Sequence, residues 1–357
     1  MMATTKVLLT GATGYIGGSV LTQLLASDAP ALKGVPISCL VRRQEQADLL
    51  SSTYGSRVNP ILFKDLDDSE TIIKVASEHD IAINTTLGFH PESARSIVLG
   101  LEKRKAATGK DVFMLHTSGT SNLADQPISK AYLEKDAERI FSDSEDIYSY
   151  EHARNATTPY AQRTSELGVI DQGLQSGVKT LVIMSPLIYG LGTGLGNKFT
   201  IQVPLYVKTT LSFGHGVVIG DGKGVWDHVH VVDLARLYEL VVVRMIEGGR
   251  GLPFGKQGII FSAAGRHSWG QIAKEVAQAA YDAGAIKSAE VKSVTLAEGA
   301  KALTGGNEVV AELGLSSNSR TRADFAQSLG WKPEKTEEDF RKHFREEVDA
   351  IIEQQKK

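Results

Sequence analysis

Short, continuous apolar runs alternate with segments of helical period through the first half of the chain. Val7–Leu9, Ile37–Val41, Asn59–Phe63, Ile81–Asn84, Val112–His116 and Thr180–Met184 read as strands. Between them, Val20–Leu25, Ala47–Tyr54, Ser69–Glu78, Pro91–Thr108 and Tyr160–Ser176 carry their apolar positions with helical spacing. Runs without polar alternation suit strands covered on both faces, and strand–helix alternation predicts a doubly wound parallel sheet. After Met184 the pattern breaks. Residues 190–225 are rich in Gly with interrupted apolar runs, Ser142–Thr158 reads as an inserted loop, and Glu290–Leu315 is irregular around Gly305-Gly306-Asn307. Ile259–Ala263 reads as a late strand rejoining the sheet. From Thr336, the residues Phe340, Phe344, Val348 and Ile351 make one apolar stripe, an amphipathic helix to dock on the body.

Between the first strand and the first helix stand Gly11, Gly14 and Gly17, in G-x-x-G-x-x-G spacing. Gly11 permits a tight turn, Gly14 a close backbone approach to a pyrophosphate at the positive helix N-terminus, and Gly17 close packing of that helix on the sheet. Thr13, Tyr15 and Ile16 complete the turn. The expected class is therefore α/β, a Rossmann-type parallel sheet with a smaller C-terminal substrate lobe. Its dinucleotide-binding domain spans residues 1–189, with 226–264 returning to it. Residues 190–225 and 265–335 form the lobe, and 336–357 the terminal helix.

Composition narrows the setting. The 357 residues carry a net charge of −3, with 39 basic and 42 acidic side chains interspersed, so no basic face suggests nucleic acid. The single cysteine, Cys39, allows no internal disulfide and suits a reducing, cytoplasmic environment. The first strand begins so close to Met1 that no signal peptide is expected, and no apolar run approaches the roughly 18–20 residues that span a bilayer.

Further pieces accompany the glycine turn: Asp65-Leu66, Thr117-Ser118, Pro159-Tyr160, Pro186-Leu187-Ile188-Tyr189-Gly190, Gly220-Asp221-Gly222, His228–Asp233 and Leu329-Gly330-Trp331-Lys332-Pro333. In this order, over nearly the whole length, the chain resembles the short-chain dehydrogenase/reductase superfamily, in its extended branch of epimerases, dehydratases and reductases, with a fungal-type flavour. The resemblance implies a nicotinamide cofactor. It assigns Asp65 to the adenine amino group and Leu66 to the ring face, places Thr85 and Thr86 beside the ribose, and adds Thr117, Pro186 and Ile188 to the cofactor site. The alternative for Asp65 is a cap on the following helix, and the two threonines could as easily be ordinary strand residues. Strand two ends Leu40-Val41-Arg42-Arg43 with no carboxylate before Glu45. An acid there would repel a 2′-phosphate, whereas a guanidinium offers it planar donors, which favours NADP(H) over NAD(H). On the other reading, one of the two arginines is a solvated strand-end charge.

The resemblance also implies a catalytic tyrosine with a lysine four residues on. Tyr160 fills the first place and Thr164 the second. Arg163 could lower the phenol pKa from the other side of the helix, though it cannot relay a proton. Alternatively Tyr160 is kept for structure or cofactor contact, and the protein is a non-catalytic NADP-binding redox sensor. A third option is another base, such as Tyr150 with Arg154. Gly119 falls near the family's catalytic hydroxyl, leaving Ser118 as first choice to hold the substrate oxygen and Thr120 as second. These hydroxyls could equally satisfy backbone groups at the strand end.

His228 and His230 share a strand face, but two imidazoles without a clustered third ligand make a poor metal site, so no metal is expected. His90 either borders the nicotinamide end of the cleft or caps the helix after Pro91. Tyr189, Phe199, Phe213 and Trp226 either line an apolar pocket or are core. Val169, Ile170 and Leu174 are the expected face of a homodimer, or internal packing. The expected reaction is oxidoreductase or epimerase/dehydratase-like chemistry on a small carbonyl or alcohol.

Overall fold

The computed structural model describes residues 5–356; Met1–Thr4, the stretch expected to leave no room for a signal peptide, lies outside them. Seven parallel strands form the central sheet: β1 (Val7–Thr10), β2 (Ile37–Val41), β3 (Val58–Leu62), β4 (Ile81–Asn84), β5 (Phe113–Gly119), β7 (Lys179–Ser185) and β11 (Ile259–Phe261). Their order, β11-β7-β5-β4-β1-β2-β3, reverses direction between β1 and β4. Ligands of such sheets bind at that switch point, beyond the carboxyl ends of the strands. Val7–Thr10 and Ile81–Asn84 are buried at every position, as strands covered on both faces must be.

The helices α1 (Tyr15–Ala26), α2 (Gln44–Tyr54), α3 (Ser69–Ala76), α4 (Pro91–Thr108), α6 (Ala161–Ser176) and α8 (Val231–Ile246) cover the two faces. Their ends follow local chemistry. The Asp68 carboxylate caps α3 by accepting from Thr71 N, and His90 caps α4, with Pro91 in the first turn. The stretch Ser142–Thr158 is not a loop. It holds the end of a two-residue strand β6 (Phe141–Ser142), paired with β14 (Thr321–Arg322), and the helix α5 (Ile147–Thr157) capped by Asp146. The sequence hid this helix because its inward face carries Glu151 and Arg154, polar residues that break an apolar stripe.

A second core lies beside the sheet. There β8 (Leu187–Tyr189), β10 (Val225–His230) and β12 (Gly265–Ser268) form a three-stranded sheet, and β9 (Gly216–Ile219) pairs with β13 (Val291–Val294). Around them pack α7 (Gln202–Phe213), α9 (Trp269–Asp282), α10 (Leu296–Leu303), α11 (Glu308–Leu315) and α13 (Glu337–Gln355). Glu290–Leu315 is thus regular, two capped helices interrupted at the predicted Gly-Gly-Asn loop. Of residues 226–264, α8 and β11 pack with the main sheet while β10 joins the smaller one.

Two motifs interlock. The Asp233 side chain accepts from Glu334 N at 3.1 Å and Lys335 N at 2.9 Å, while Trp331 Nε1 donates to the Asp233 carbonyl at 2.8 Å. Here α12 (Asp324–Ser328) leads into the segment that places α13, whose Phe340 and Phe344 are buried as the stripe predicted. Val169 and Ile170 are also buried, in the sheet's own cores, so of the expected dimer face only Leu174 is exposed.

Candidate active site

The glycine turn meets its neighbours at backbone distance. Gly11 has φ +79°, and a Cβ there would lie 2.7 Å from Thr85 Oγ1. A Cβ on Gly17 would fall 2.2 Å from the Gly11 carbonyl. Gly14 is the N-cap of α1, with no side chain capping the helix and no acid in its first turn. The first amides of α1 therefore keep free N–H groups beside the glycines of the turn, which fits a bound phosphate. Beyond β8 the chain folds back over this turn. Asn197 N donates to the Thr13 carbonyl at 3.0 Å, and Gly194 and Gly196 lie so close to Gly18 and Thr13 that no side chain would fit. Tyr15 Oη donates to the Gly190 carbonyl at 2.6 Å, and Ile16 packs against the sheet core.

At the end of β2, Arg42 and Arg43 are exposed, and among the described residues neither side chain has an ion-pair partner. Gln46 fixes the turn before them: its Oε1 accepts from Arg42 N and Arg43 N, and its Nε2 donates to Thr13 Oγ1 at 3.1 Å. Asp65 does not cap α3, since Asp68 does; its Oδ1 accepts from Asp67 N at 2.9 Å. Leu66 lines a shallow depression with Thr10, Leu40, Phe63 and Thr86. The hydroxyls of Thr85 and Thr86 are engaged locally, with the Thr10 carbonyl and Asn84 Oδ1. Thr117 Oγ1 is buried against the Tyr238 hydroxyl at 2.5 Å. Pro186 stands at the bend between β7 and β8, and Ile188 is a buried strand residue beside Val229.

Tyr160 stands ahead of its helix. It is the N-cap of α6, extended at φ −136° and ψ 125°: its carbonyl accepts the first helical bond, from Thr164 N at 2.8 Å, but its own backbone lies outside the helical region, so its side chain does not stand over position 164 as a helical residue's would. Thr164 is exposed and its Oγ1 accepts from Asn155 Nδ2 at 3.1 Å. The Tyr160 ring meets Phe89 edge-on at 5.7 Å. Its hydroxyl donates to Ser121 Oγ at 3.2 Å, and Ser121 Oγ donates to Gln162 Oε1 at 2.6 Å.

Ser118 and Thr120 are turned elsewhere. Ser118 Oγ is buried and accepts from Asn122 Nδ2, and Thr120 is fully buried. The hydroxyl beside Tyr160 is Ser121, which the sequence reading passed over. Strand alternation could not have marked it, because β5 ends at Gly119 and Ser121 stands in the helical turn Thr120–Asn122 that follows.

Arg163 is buried and structurally committed, giving Nε and Nη2 to the Asn122 carbonyl at 3.1 and 2.6 Å and Nη1 to the Thr158 carbonyl. Its guanidinium still lies 5.8 Å from the Tyr160 ring centre. Burial raises the Tyr160 pKa above its ordinary value, while Ser121 and Arg163 pull it down. Beneath them Glu151 and Glu166 are wholly buried, and burial pushes both carboxyls upward. Tyr150 and Arg154 are locked in the same layer: Tyr150 Oη donates to Glu134, and Arg154 stacks on Tyr132. His90 caps α4 and its Nε2 lies 3.1 Å from Asp67 Oδ1. Tyr189 and Trp226 are core, Phe199 is half-buried and Phe213 exposed. Among the described residues no three His, Cys, Asp or Glu side chains are grouped to hold a metal ion.

A doubly wound sheet with an uncapped glycine turn at its switch point defines a Rossmann-type protein. The sequence profile of the NAD dependent epimerase/dehydratase family matches residues 7–251, and the chain belongs to that family. It is 28% identical over 347 residues to oxidase ucsJ of an Acremonium species, covering 92% of this chain and 93% of that protein. In fold it is similar to DesIV, a dTDP-glucose 4,6-dehydratase from Streptomyces venezuelae solved with NAD and TYD (TM-score 0.65, 17% identity, 98% of this chain and 97% of that one). It is likewise similar to the Thermus thermophilus UDP-glucose 4-epimerase in complex with NAD (TM-score 0.61, 18% identity, 97% and 99%).

Proposed function

We propose that the protein is an NADP(H)-dependent oxidoreductase, or an epimerase/dehydratase-like enzyme, acting on a small carbonyl or alcohol compound. The observation that carries this reading is the Tyr160 phenol, held at the cleft by Ser121 and Gln162, with the glycine turn at the same ends of the strands. The α1 N-terminus and Gly14 would receive the pyrophosphate. Arg42 and Arg43, exposed and without ion-pair partners, would receive a 2′-phosphate, and the depression beside Leu66 the adenine. A bound reduced nicotinamide would supply a hydride to the carbonyl carbon. Tyr160 gives its proton to the carbonyl oxygen. Its raised pKa keeps that proton in place at neutral pH, suiting it as an acid rather than a base. Arg163, facing the ring, steadies the phenolate left behind.

One observation favours a second reading. Thr164 is tied to Asn155 and provides no ammonium beside Tyr160. On that reading the protein binds the dinucleotide and signals its occupancy without turnover. Steady-state oxidation of NADPH across a panel of aldehydes, ketones and quinones separates the two. The enzyme reading expects turnover that Tyr160→Phe reduces at least a hundredfold. Turnover untouched by that substitution removes Tyr160 from the chemistry, and none at all leaves the sensor.

A further inference from the structure

We infer that the Gln162 carboxamide holds the reacting oxygen of the substrate beside Tyr160. This rests on the reading of the cleft as a carbonyl or alcohol site. Gln162 lies in the first turn of α6 and is half-buried, at the cleft wall rather than in the core. Its amide sits in a slot between two bare backbones. A Cβ on Gly119, at the end of β5, would fall 3.0 Å from Gln162 Nε2, and a Cβ on Gly88, in the loop after β4, 3.3 Å from it. The amide thus occupies the volume that a side chain at position 119 would take.

Its orientation is set from one side. Ser121 Oγ donates to Oε1 at 2.6 Å and itself accepts from Tyr160. With the oxygen engaged, the two N–H groups of Nε2 remain, and among the described residues they meet no acceptor. The other polar groups around Tyr160 are spent. Ser118 faces Asn122, Thr164 faces Asn155, and the Arg163 donors serve the Asn122 and Thr158 carbonyls. Gln162 Nε2 is the donor left unspent in the hydrogen-bonded group around Tyr160.

Its chemistry suits the place. A bound reduced nicotinamide would supply the hydride, its own C–H bond breaking as the new one forms at the carbonyl carbon; the π pair then moves onto oxygen, which takes the Tyr160 proton, and the phenolate is reprotonated by water. A fixed N–H pair on that oxygen binds the charge as it develops and needs no reorganisation, an effect on the order of a hundredfold in rate. A neutral amide also explains how the site functions without a lysine: it stabilises the oxygen directly instead of acidifying the phenol.

The test uses the full-length protein with NADPH and the fastest-reduced carbonyl of the panel, together with fluorescence titration of NADPH alone. Gln162→Leu, close in size and without donors, is expected to lose kcat/KM on the order of a hundredfold, mostly in kcat, with NADPH affinity unchanged within about twofold. Gln162→Glu is expected to show activity that climbs as pH falls and the carboxyl regains a proton to donate, a limb absent from the wild type. Gly119→Ser with Gln162→Ala puts a hydroxyl in the same slot and should restore part of the loss. Wild-type kcat/KM in Gln162→Leu, or a wild-type pH profile in Gln162→Glu, overturns the inference while leaving the enzyme reading standing. A wild type that reduces nothing in the panel overturns the reading itself.

Discussion

One methyl group placed at Gly17 and one at Gly14 should have separable consequences. At Gly17 the new Cβ would stand 2.2 Å from the Gly11 carbonyl oxygen and 2.3 Å from Thr85 Oγ1. Neither can step aside: the Gly11 carbonyl accepts from Gly14 N at 2.8 Å, and Thr85 Oγ1 donates to the Thr10 carbonyl at 2.7 Å. Relief needs roughly 1 Å of movement to reach ordinary contact, and the start of α1 must supply it. That helix buries Val20, Leu21 and Leu24 almost completely, so moving it opens the core it fills. Overpacking of this kind costs about 1–3 kcal/mol, and the upper end is expected here. At a slope of about 2–3 kcal/mol per molar, a 3 kcal/mol loss lowers a urea midpoint by about 1–1.5 M. At Gly14 the backbone is extended, φ −83° and ψ 177°, and the nearest atom to a new Cβ is 3.1 Å away. Gly14→Ala should keep its stability within about 1 kcal/mol yet weaken dinucleotide binding about tenfold or more, because the methyl stands where a phosphate must approach. Urea unfolding followed by circular dichroism and calorimetric titration with NADPH read the two effects. An unchanged midpoint for Gly17→Ala, or full NADPH affinity in Gly14→Ala, would refute the geometric argument.

Four further outcomes are expected. Arg163→Met should cost about 3–5 kcal/mol in chemical denaturation, because it strips the buried Asn122 carbonyl of two donors and removes the guanidinium that acts on Glu151 and Glu166; a change under 1 kcal/mol would contradict that role. Burial holds His116 and His230 at about 4 and His228 and His343 at about 3, so between the ordinary imidazole value and these the unfolded chain binds more protons. Stability should therefore fall as pH drops from about 6.5 toward 4, and a flat urea midpoint over that range would sink the prediction. Burial pushes Glu347 up to about 8, so the folded chain binds more protons between the ordinary carboxylate range and that value, and stability drains as pH rises through it. Glu347→Gln should gain on the order of 2–4 kcal/mol above pH 8 and nothing near pH 4.5; equal gain at both would contradict it. Arg42→Ala with Arg43→Ala should weaken NADPH binding about tenfold or more and leave NADH binding within about twofold; parallel losses would mean the arginines do not read a 2′-phosphate.

The sheet was legible in the sequence because parallel strands covered on both faces need unbroken apolar runs: Ile37–Val41 and Ile81–Asn84 fall on their strands residue for residue. Pro91 marked the start of α4 for a local reason, the fixed φ of its ring. What stayed hidden depended on contacts distant in sequence. Helix α5 buries Glu151 and Arg154 against Glu166 and the Asn122 carbonyl, partners that no periodicity reveals. The helical-wheel offsets of Arg163 and Thr164 did not apply as drawn, because Tyr160 is the extended N-cap of α6, although the Arg163 guanidinium still comes within 5.8 Å of its ring centre. The hydroxyl-rich run after β5 offered several partners for the tyrosine, and only the fold turns Ser118 inward and Ser121 toward it.

Calorimetric titration of the purified protein with NADPH and with NADH, once carried-over cofactor has been removed, tests the proposed nicotinamide dinucleotide phosphate site most directly. Saturable binding of NADPH at least tenfold tighter than NADH is expected, with the order lost on removing Arg42 and Arg43. Binding of neither would contradict it, because an uncapped α1 and its glycine turn would then have no ligand to serve.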